Sequence, residues 1–196
     1  MGIEKVVLVH GWGGSPDSEP WFKKLKEGCN NKGIKIVALE MPDSDSPKMS
    51  EWVSKLKESV NDLNDKICFV GHSMGCQTII RYLSEIDDAV KVGKVVFVAP
   101  WTKLDKKSIE EEREESVKIV KSWIDIPIDF EKARKHLTKV LAIFSNNDPY
   151  VPLSEMKIFE EKLGAKVILE NGEEHFNETK EIKEIMEFLE DDNTDD

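Results

Sequence analysis

A serine flanked by two glycines is the first feature of this sequence that could do chemistry. In FVGHSMGCQ, Phe69 to Gln77, Ser73 has Gly71 two residues before it and Gly75 two residues after it. A G-x-S-x-G turn between a strand and a helix holds its serine at positive φ, and the glycines let the chain pass close by. The hydroxyl then projects at a helix start, where the amide of Met74 can donate to an oxyanion. The pattern predicts a nucleophilic serine, and the alternative is an ordinary tight turn.

A serine needs a base within hydrogen-bond reach and a carboxylate that orients the base. His175, in NGEEHFNET, follows the last predicted strand, and Asp148, in FSNNDPYVP, follows the fifth. The chain order Ser73, Asp148, His175 is the order found in hydrolases that carry this serine turn. A solvated histidine and a structural Asp-Pro turn are the alternatives for the two residues. We predict a Ser-His-Asp triad.

The loop VHGWGGSP, which follows the first predicted strand, supplies a second oxyanion donor. Its glycines allow the backbone to approach a substrate closely, so the amide of Trp12 is the candidate donor. The rival interpretation is a phosphate-binding loop. Pro16 stands where a G-x-G-x-x-G motif requires glycine, and Gly28 to Gly33 is followed by Ile34 instead of a lysine. The sequence therefore disfavours nucleotide binding.

Strand and helix patterns alternate along the chain and would place these loops at one edge of a sheet. Six aliphatic runs predict strands that are covered on both faces, at residues 4–10, 34–39, 67–70, 94–99, 139–144 and 166–169. Helical patterns lie between them, at residues 18–31, 48–64, 74–86, 108–123, 153–163 and 178–190. This alternation predicts an α/β fold, a three-layer sandwich with a six-stranded parallel sheet and helices on both faces.

The predicted domain organisation is simple. We expect one domain over residues 1–190, with 101–138 as a small lid or excursion and 191–196 as an acidic disordered tail. In open α/β sheets ligands bind beyond the carboxyl ends of the strands. Trp101 and Tyr150 follow the fourth and fifth strands, so we expect them to form apolar walls that contact the substrate.

Composition restricts the partners and the compartment. The chain has 28 basic and 39 acidic residues, for a net charge of −11, which disfavours binding to nucleic acid or to an anionic membrane. Three cysteines without CxxC spacing predict neither disulfides nor a zinc site. The N-terminus lacks the features of a signal peptide and no apolar run has membrane-spanning length. We therefore expect a cytoplasmic protein without metal or cofactor.

The motifs HGWGGSP, GHSMG, NNDPYVP and EHFN, together with MPDSDSP, the following EW, and APW, carry a family resemblance. From about Val6 to Phe188 the chain resembles the small serine-hydrolase family typified by retinoblastoma-binding protein nine and its bacterial relatives. The resemblance implies a reduced α/β-hydrolase fold with little or no cap. It also implies roles for five residues: Ser73 as nucleophile, Asp148 as acid, His175 as base, and Trp12 and Met74 as oxyanion donors.

The sequence departs from the family at Glu174, since the family commonly has glycine directly before the histidine. A carboxylate at this position is expected to raise the pKa of the imidazole or to misplace its loop. Cys76 is expected to pack in the core.

We predict cleavage of small acyl esters through an acyl-enzyme. Two alternatives stay open: a peptide or thioester hydrolase with the same triad, and a low-turnover protein that binds an unknown protein partner.

Overall fold

The computed structural model describes residues 2–105, 107–108 and 113–191 of the 196-residue chain. The described residues leave out most of the predicted tail, residues 192–196. They also leave out residues 110–112, which belong to an acidic stretch, EEEREE, at 110–115. The predicted aliphatic runs all form strands, and each agrees with its predicted bounds to within two residues. They are β1 Lys5–Val9, β2 Lys35–Leu39, β3 Ile67–His72, β4 Val92–Val98, β5 Leu137–Ser145 and β6 Lys166–Glu170.

The strands form one six-stranded sheet in the order β2-β1-β3-β4-β5-β6, and every neighbouring pair is parallel. All residues of β3 and β4 are buried, whereas the edge strands β2 and β6 are only partly covered. Strands buried on both faces need apolar side chains at consecutive positions, which is why these runs do not alternate. The predicted parallel α/β fold is confirmed.

The helices of the described residues cover the two faces of the sheet. They are α1 Pro20–Asn31, α2 Met49–Ser59, α3 Met74–Leu83, α4 Glu114–Ile124, α5 Phe130–Lys135, α6 Ser154–Leu163 and α7 Lys183–Glu190. The six-residue helix α5 was not predicted, because it is too short to show a periodic apolar face. Asp129 caps it by accepting a hydrogen bond from the amide of Lys132. None of the described helices has the length and apolar character needed to cross a bilayer.

Three predicted helices differ from their predicted bounds by five residues or more at one end. The helix predicted at 48–64 ends at Ser59, because Val60 is extended and buried. The helix predicted at 108–123 cannot be continuous, since Arg113 is extended and α4 begins at the next residue. The predicted start near residue 178 was wrong, and α7 begins only at Lys183. The residues before Lys183 form a loop instead, in which Thr179 is buried and donates a hydrogen bond to Glu173.

Candidate active site

Ser73 occupies a strained turn between β3 and α3. Its backbone has φ 49° and ψ −114°, a conformation that residues with a side chain rarely adopt. A Cβ at Gly75 would lie 2.3 Å from the carbonyl oxygen of Val9, and one at Gly71 would lie 2.9 Å from the amide nitrogen of Cys76. Neither position can hold a side chain without moving the backbone. The two glycines are therefore needed because the chain passes too close for a side chain at either position, as the sequence predicts.

The loop that follows β6 carries His175 to the same edge of the sheet. Its backbone is held by the amide of Glu173, which donates to Ser145 Oγ, and by the amide of Glu174, which donates to Asn147 Oδ1. Phe176 is fully buried and fixes the far side of the loop. Polar contacts and one apolar anchor thus determine where the imidazole lies.

Asp148 lies in the turn after β5, and both of its carboxylate oxygens are engaged. Oδ1 accepts hydrogen bonds from the amides of Tyr150 and Val151, at 2.8 and 3.0 Å. Oδ2 lies 2.8 Å from His175 Nδ1. The backbone of the turn therefore fixes the carboxylate, and the carboxylate fixes the imidazole.

The structure brings Ser73, His175 and Asp148 into one chain of hydrogen bonds. His175 Nε2 lies 2.9 Å from Ser73 Oγ, and its Nδ1 faces Asp148. Since a carboxylate only accepts, Nδ1 carries the hydrogen and Nε2 has a lone pair for the serine hydroxyl. Burial lowers the pKa of His175 below its ordinary value of 6.5, although the hydrogen bond with Asp148 opposes this effect. The imidazole is therefore neutral at neutral pH and can accept a proton.

Glu174 does not disturb this arrangement. Its backbone has φ 49°, in the left-handed region that favours glycine, and its side chain is exposed. The cost of a left-handed residue with a side chain is about 1 to 2 kcal/mol. The expected rise in the pKa of His175 is wrong, because burial lowers that pKa.

Trp101 makes a contact that the sequence did not indicate. Its indole Nε1 lies 3.3 Å from Ser73 Oγ and donates toward it, while its carbonyl accepts a hydrogen bond from Gln77 Nε2. The residue also lines the cavity, as expected of a wall residue. An aromatic residue after a strand predicts an apolar surface, but nothing in its sequence context reveals where the indole N–H points.

The two predicted oxyanion donors flank Ser73. Met74 is the first residue of α3, and the first N–H groups of a helix have no intrahelical acceptor. A Cβ at Gly11 would lie 3.3 Å from Ser73 Cβ, so the loop after β1 passes directly beside the serine. The carbonyl of Gly11 accepts hydrogen bonds from His10 Nδ1 and from the amide of Gly14. Because a trans peptide directs its C=O and N–H to opposite sides, the N–H of Trp12 faces away from these donors.

A cavity of about 280 Å³ opens over Ser73. Its floor includes Ser73, Met74 and His175, and Tyr150 packs edge-on against the His175 ring at a centroid distance of 5.2 Å. One wall comes from the 101–138 segment and includes Leu104, Ser108, Ser116, Val117 and Val120. This segment therefore covers one side of the cavity.

Other groups near the site have different roles. Cys76 is buried, its thiol donates to the carbonyl of Gly71, and burial raises its pKa well above the ordinary value. It is therefore not a thiolate nucleophile, in agreement with the expectation that it packs in the core. Among the described residues, no group of three or more His, Cys, Asp or Glu side chains is arranged to hold a metal ion.

Two residues near the site were not predicted. The Glu19 carboxylate lies 3.0 Å from His72 Nδ1, and His72 Nε2 lies 2.8 Å from the carbonyl oxygen of His175. A glutamate far from the serine turn in sequence gives no signal of such a contact. The only sequence feature that pointed to His72 is its position inside the GHSMG motif, directly before Ser73.

Comparison with known proteins finds similarity over most of the chain. A family model described as "Serine hydrolase" matches residues 6–188. The serine hydrolase RBBP9 of Rattus norvegicus is 23% identical over 187 residues, which cover 94% of this chain and 93% of that protein. YdeN of Bacillus subtilis is 23% identical over 175 residues, which cover 89% of this chain and 87% of that protein.

Solved structures share the fold. The ydeN gene product of B. subtilis superimposes with a TM-score of 0.83 at 21% identity, over 95% of this chain and 96% of that chain. The Pyrococcus furiosus esterase Pf2001 superimposes with a TM-score of 0.62 at 19% identity, over 90% of this chain and 74% of that chain. Both similarities extend over most of the sheet and its helices.

Proposed function

This chain belongs to the serine hydrolase family, and from that premise we propose that it cleaves small acyl esters through an acyl-enzyme. Ser73 is the nucleophile, His175 the general base and Asp148 the residue that orients the base. One observation carries the proposal: the hydrogen bonds of 2.8 and 2.9 Å that link Asp148 to His175 and His175 to Ser73. Such a chain makes a serine hydroxyl nucleophilic at neutral pH.

The proposed reaction has two steps. Ser73 Oγ attacks the ester carbonyl carbon as His175 Nε2 takes the hydroxyl proton, and the amides of Trp12 and Met74 hold the oxyanion. The tetrahedral intermediate then expels the alcohol, which receives the proton from the imidazolium. Water attacks the acyl-enzyme with His175 as base, which releases the acid and restores Ser73. Neither a metal nor an organic cofactor takes part in this scheme.

The size and lining of the cavity support a short acyl group. A volume of about 280 Å³ lies just below the usual range for ligand pockets, about 300 to 1,000 Å³. Leu104, Val117 and Val120 give it an apolar side, and Trp101 and Tyr150 give it aromatic walls. The name of the Pyrococcus furiosus neighbour, an esterase, agrees with an ester as the substrate class. We therefore propose a carboxylesterase-like activity on short acyl esters.

The proposal extends to the domain and the compartment. We propose one domain over residues 1–190, in which 101–138 forms the outer wall of the acyl pocket. Cys29, Cys68 and Cys76 are all buried and unpaired, which suits the reducing conditions of a cytoplasm.

A fluorophosphonate probe and a series of acyl esters test the proposal together. We expect the wild-type protein to be labelled, Ser73→Ala to lose all labelling, and Ser116→Ala to keep it. Ser116 is the matched control because it is another serine that lines the same cavity. We also expect kcat/KM to be higher for acetyl and butyryl esters than for long-chain esters.

Three outcomes would contradict parts of the proposal. Equal labelling of Ser73→Ala and wild type would remove Ser73 as the nucleophile. A wild-type protein that is neither labelled nor active would favour the partner-binding alternative. Faster cleavage of matched thioester or aminoacyl amide substrates would replace the ester as the substrate class.

A further inference from the structure

A second histidine lies directly beneath His175 and has a carboxylate of its own. His72 is 2% exposed, and its ring centroid is 5.2 Å from that of His175. Its Nδ1 lies 3.0 Å from Glu19 Oε1, and its Nε2 lies 2.8 Å from the carbonyl oxygen of His175. Glu19 is itself buried, and its other carboxylate oxygen contacts the hydroxyl of Ser18.

The partners of His72 determine its protonation. A peptide carbonyl only accepts, so Nε2 carries a hydrogen, and an ionised carboxylate also only accepts, so Nδ1 carries one too. Burial alone would raise the pKa of Glu19, but its hydrogen bond with His72 brings that pKa below the ordinary value, so the carboxylate is ionised at neutral pH. His72 therefore donates to the carbonyl of His175 on one side and to Glu19 on the other.

His10, a buried histidine in the loop after β1, differs from His72 in its hydrogen-bond partners. Its Nε2 accepts a hydrogen bond from the amide of Met41, and its Nδ1 donates to the carbonyl of Gly11. This ring therefore carries one hydrogen and no charge. The contrast shows that the hydrogens on the His72 ring follow from its two acceptors and not from burial, which both rings share.

We propose that Glu19 and His72 are positioning residues for the general base: the Nε2–H group of His72 holds the backbone of His175 through its carbonyl, and Glu19 holds His72. This inference depends on the proposed function, since it takes His175 to be the base. Glu174 and Phe176, on either side of His175, both have positive φ, so the loop is strained where the base is attached. His72 precedes Ser73 in the chain, and its bond to His175 therefore ties the base to the nucleophile's own turn.

We call the contacts from Glu19 to His72 and from His72 to the His175 carbonyl the clamp. Two pairs of substitutions test it. His72→Phe keeps a ring but removes both N–H groups, whereas the amide of His72→Gln can still donate to the His175 carbonyl. Glu19→Leu leaves His72 without a partner that fixes its protonation, whereas the amide of Glu19→Gln can donate to Nδ1 and keep Nε2–H on the carbonyl. We expect His72→Phe and Glu19→Leu to lower kcat about 10- to 100-fold with KM within about threefold, because a small misplacement of a catalytic group has effects of this size.

The conservative variants, His72→Gln and Glu19→Gln, should keep kcat within about fivefold of wild type. All rates are measured on short acyl esters and divided by the concentration of active sites that the fluorophosphonate probe titrates, so that unfolded protein does not count. Equal losses in the conservative and disruptive variants, or no loss in His72→Phe, would overturn the clamp.

A spectroscopic measurement on wild-type protein covers the case in which a variant does not fold. Long-range ¹H–¹⁵N correlation spectra at neutral pH should show hydrogens on both ring nitrogens of His72 and on one nitrogen of His10. A His72 ring with hydrogen only on Nδ1 could not donate to the His175 carbonyl and would overturn the clamp. A ring with hydrogen only on Nε2 could not donate to Glu19 and would overturn the part of Glu19 in it. A fully active Ser73→Ala would instead contradict the proposed function, so the two failures are distinguishable.

Discussion

Burial and a single carboxylate shift the pKa of His175 in opposite directions, and their balance decides whether the imidazole is neutral before the proposed reaction. Asp148 favours the imidazolium through a hydrogen bond of 2.8 Å, while burial and the nearby His72 favour the neutral ring. Burial is the largest effect, and the pKa of His175 is lowered from 6.5. A base that is neutral before the reaction, and is paired with a carboxylate when it becomes charged, suits both steps of the proposed mechanism.

This balance predicts the acid limb of the pH profile. His175 must be unprotonated to accept the Ser73 proton, so kcat/KM for an acetyl ester should rise with pH and reach half its plateau below pH 6.5. Rates measured from about pH 5 to about pH 8 check this, since kcat/KM reports the pKa of the free enzyme. Ser73→Ala at each pH gives the background rate. A midpoint above 6.5 would mean that the carboxylate outweighs burial.

At the scale of elements, α3 connects the candidate nucleophile to the outer wall of the cavity. Ser73 precedes its first residue, and a side chain near its last residue contacts the end of α4. Arg81, near the end of α3, is 7% exposed and donates to the carbonyls of Trp123 and Ile126 at 2.8 and 2.7 Å. It also contacts the carbonyl of Pro127. Burial lowers the pKa of Arg81 to about 10, so the side chain is still charged at neutral pH. A cation at the C-terminal end of α4 also matches the helix dipole.

Replacing this arginine should loosen the wall. In Arg81→Met the carbonyls in the last turn of α4 and just after it lose their donor, so we expect the free energy of unfolding to fall by about 2 to 3 kcal/mol. KM should rise several-fold, because Val117 and Val120 of α4 line the cavity. Chemical denaturation measures the first effect, and hydrogen exchange of the α4 amides locates it.

Lys118→Ala is the control for Arg81→Met. Lys118 forms an ion pair with Glu114 on the exposed face of the same helix, and such pairs contribute at most about 1 kcal/mol. Equal effects of the two substitutions, or unchanged exchange of the α4 amides in Arg81→Met, would contradict the anchoring role.

Sequence patterns predicted the features that depend on local chemistry. Each strand is an aliphatic run, and the Ser73 turn follows from the space that its two glycines leave, so both could be read without coordinates. The start of α7 could not be predicted, because the loop before Lys183 is held by a side-chain hydrogen bond between Thr179 and Glu173 that no sequence pattern indicates. The Glu19 contact with His72 joins residues 53 positions apart, and only the folded sheet brings them together.

At the scale of the whole molecule, the candidate site exists only when the sheet is assembled. Trp12, Ser73, Asp148 and His175 follow β1, β3, β5 and β6, and each lies beyond the carboxyl end of its strand. The sheet thus supplies the reacting groups at one edge. The segment after β4 supplies a wall that faces them, so the proposed chemistry and the proposed acyl preference depend on different parts of the chain.

This separation predicts that acyl preference can be changed without loss of the chemistry. Val120 is 5% exposed and lines the cavity, so Val120→Ala should leave room for a longer acyl chain. We expect the ratio of kcat/KM for hexanoyl and acetyl esters to rise about tenfold, which is the usual effect of one or two methylene groups in an apolar pocket. Val53→Ala is the matched control, because Val53 is 6% exposed on α2 and does not line this cavity. Both variants should lose stability, but only Val120→Ala should change the ratio. If the two variants change it equally, or if Val120→Ala leaves it unchanged, then α4 does not bound the acyl pocket.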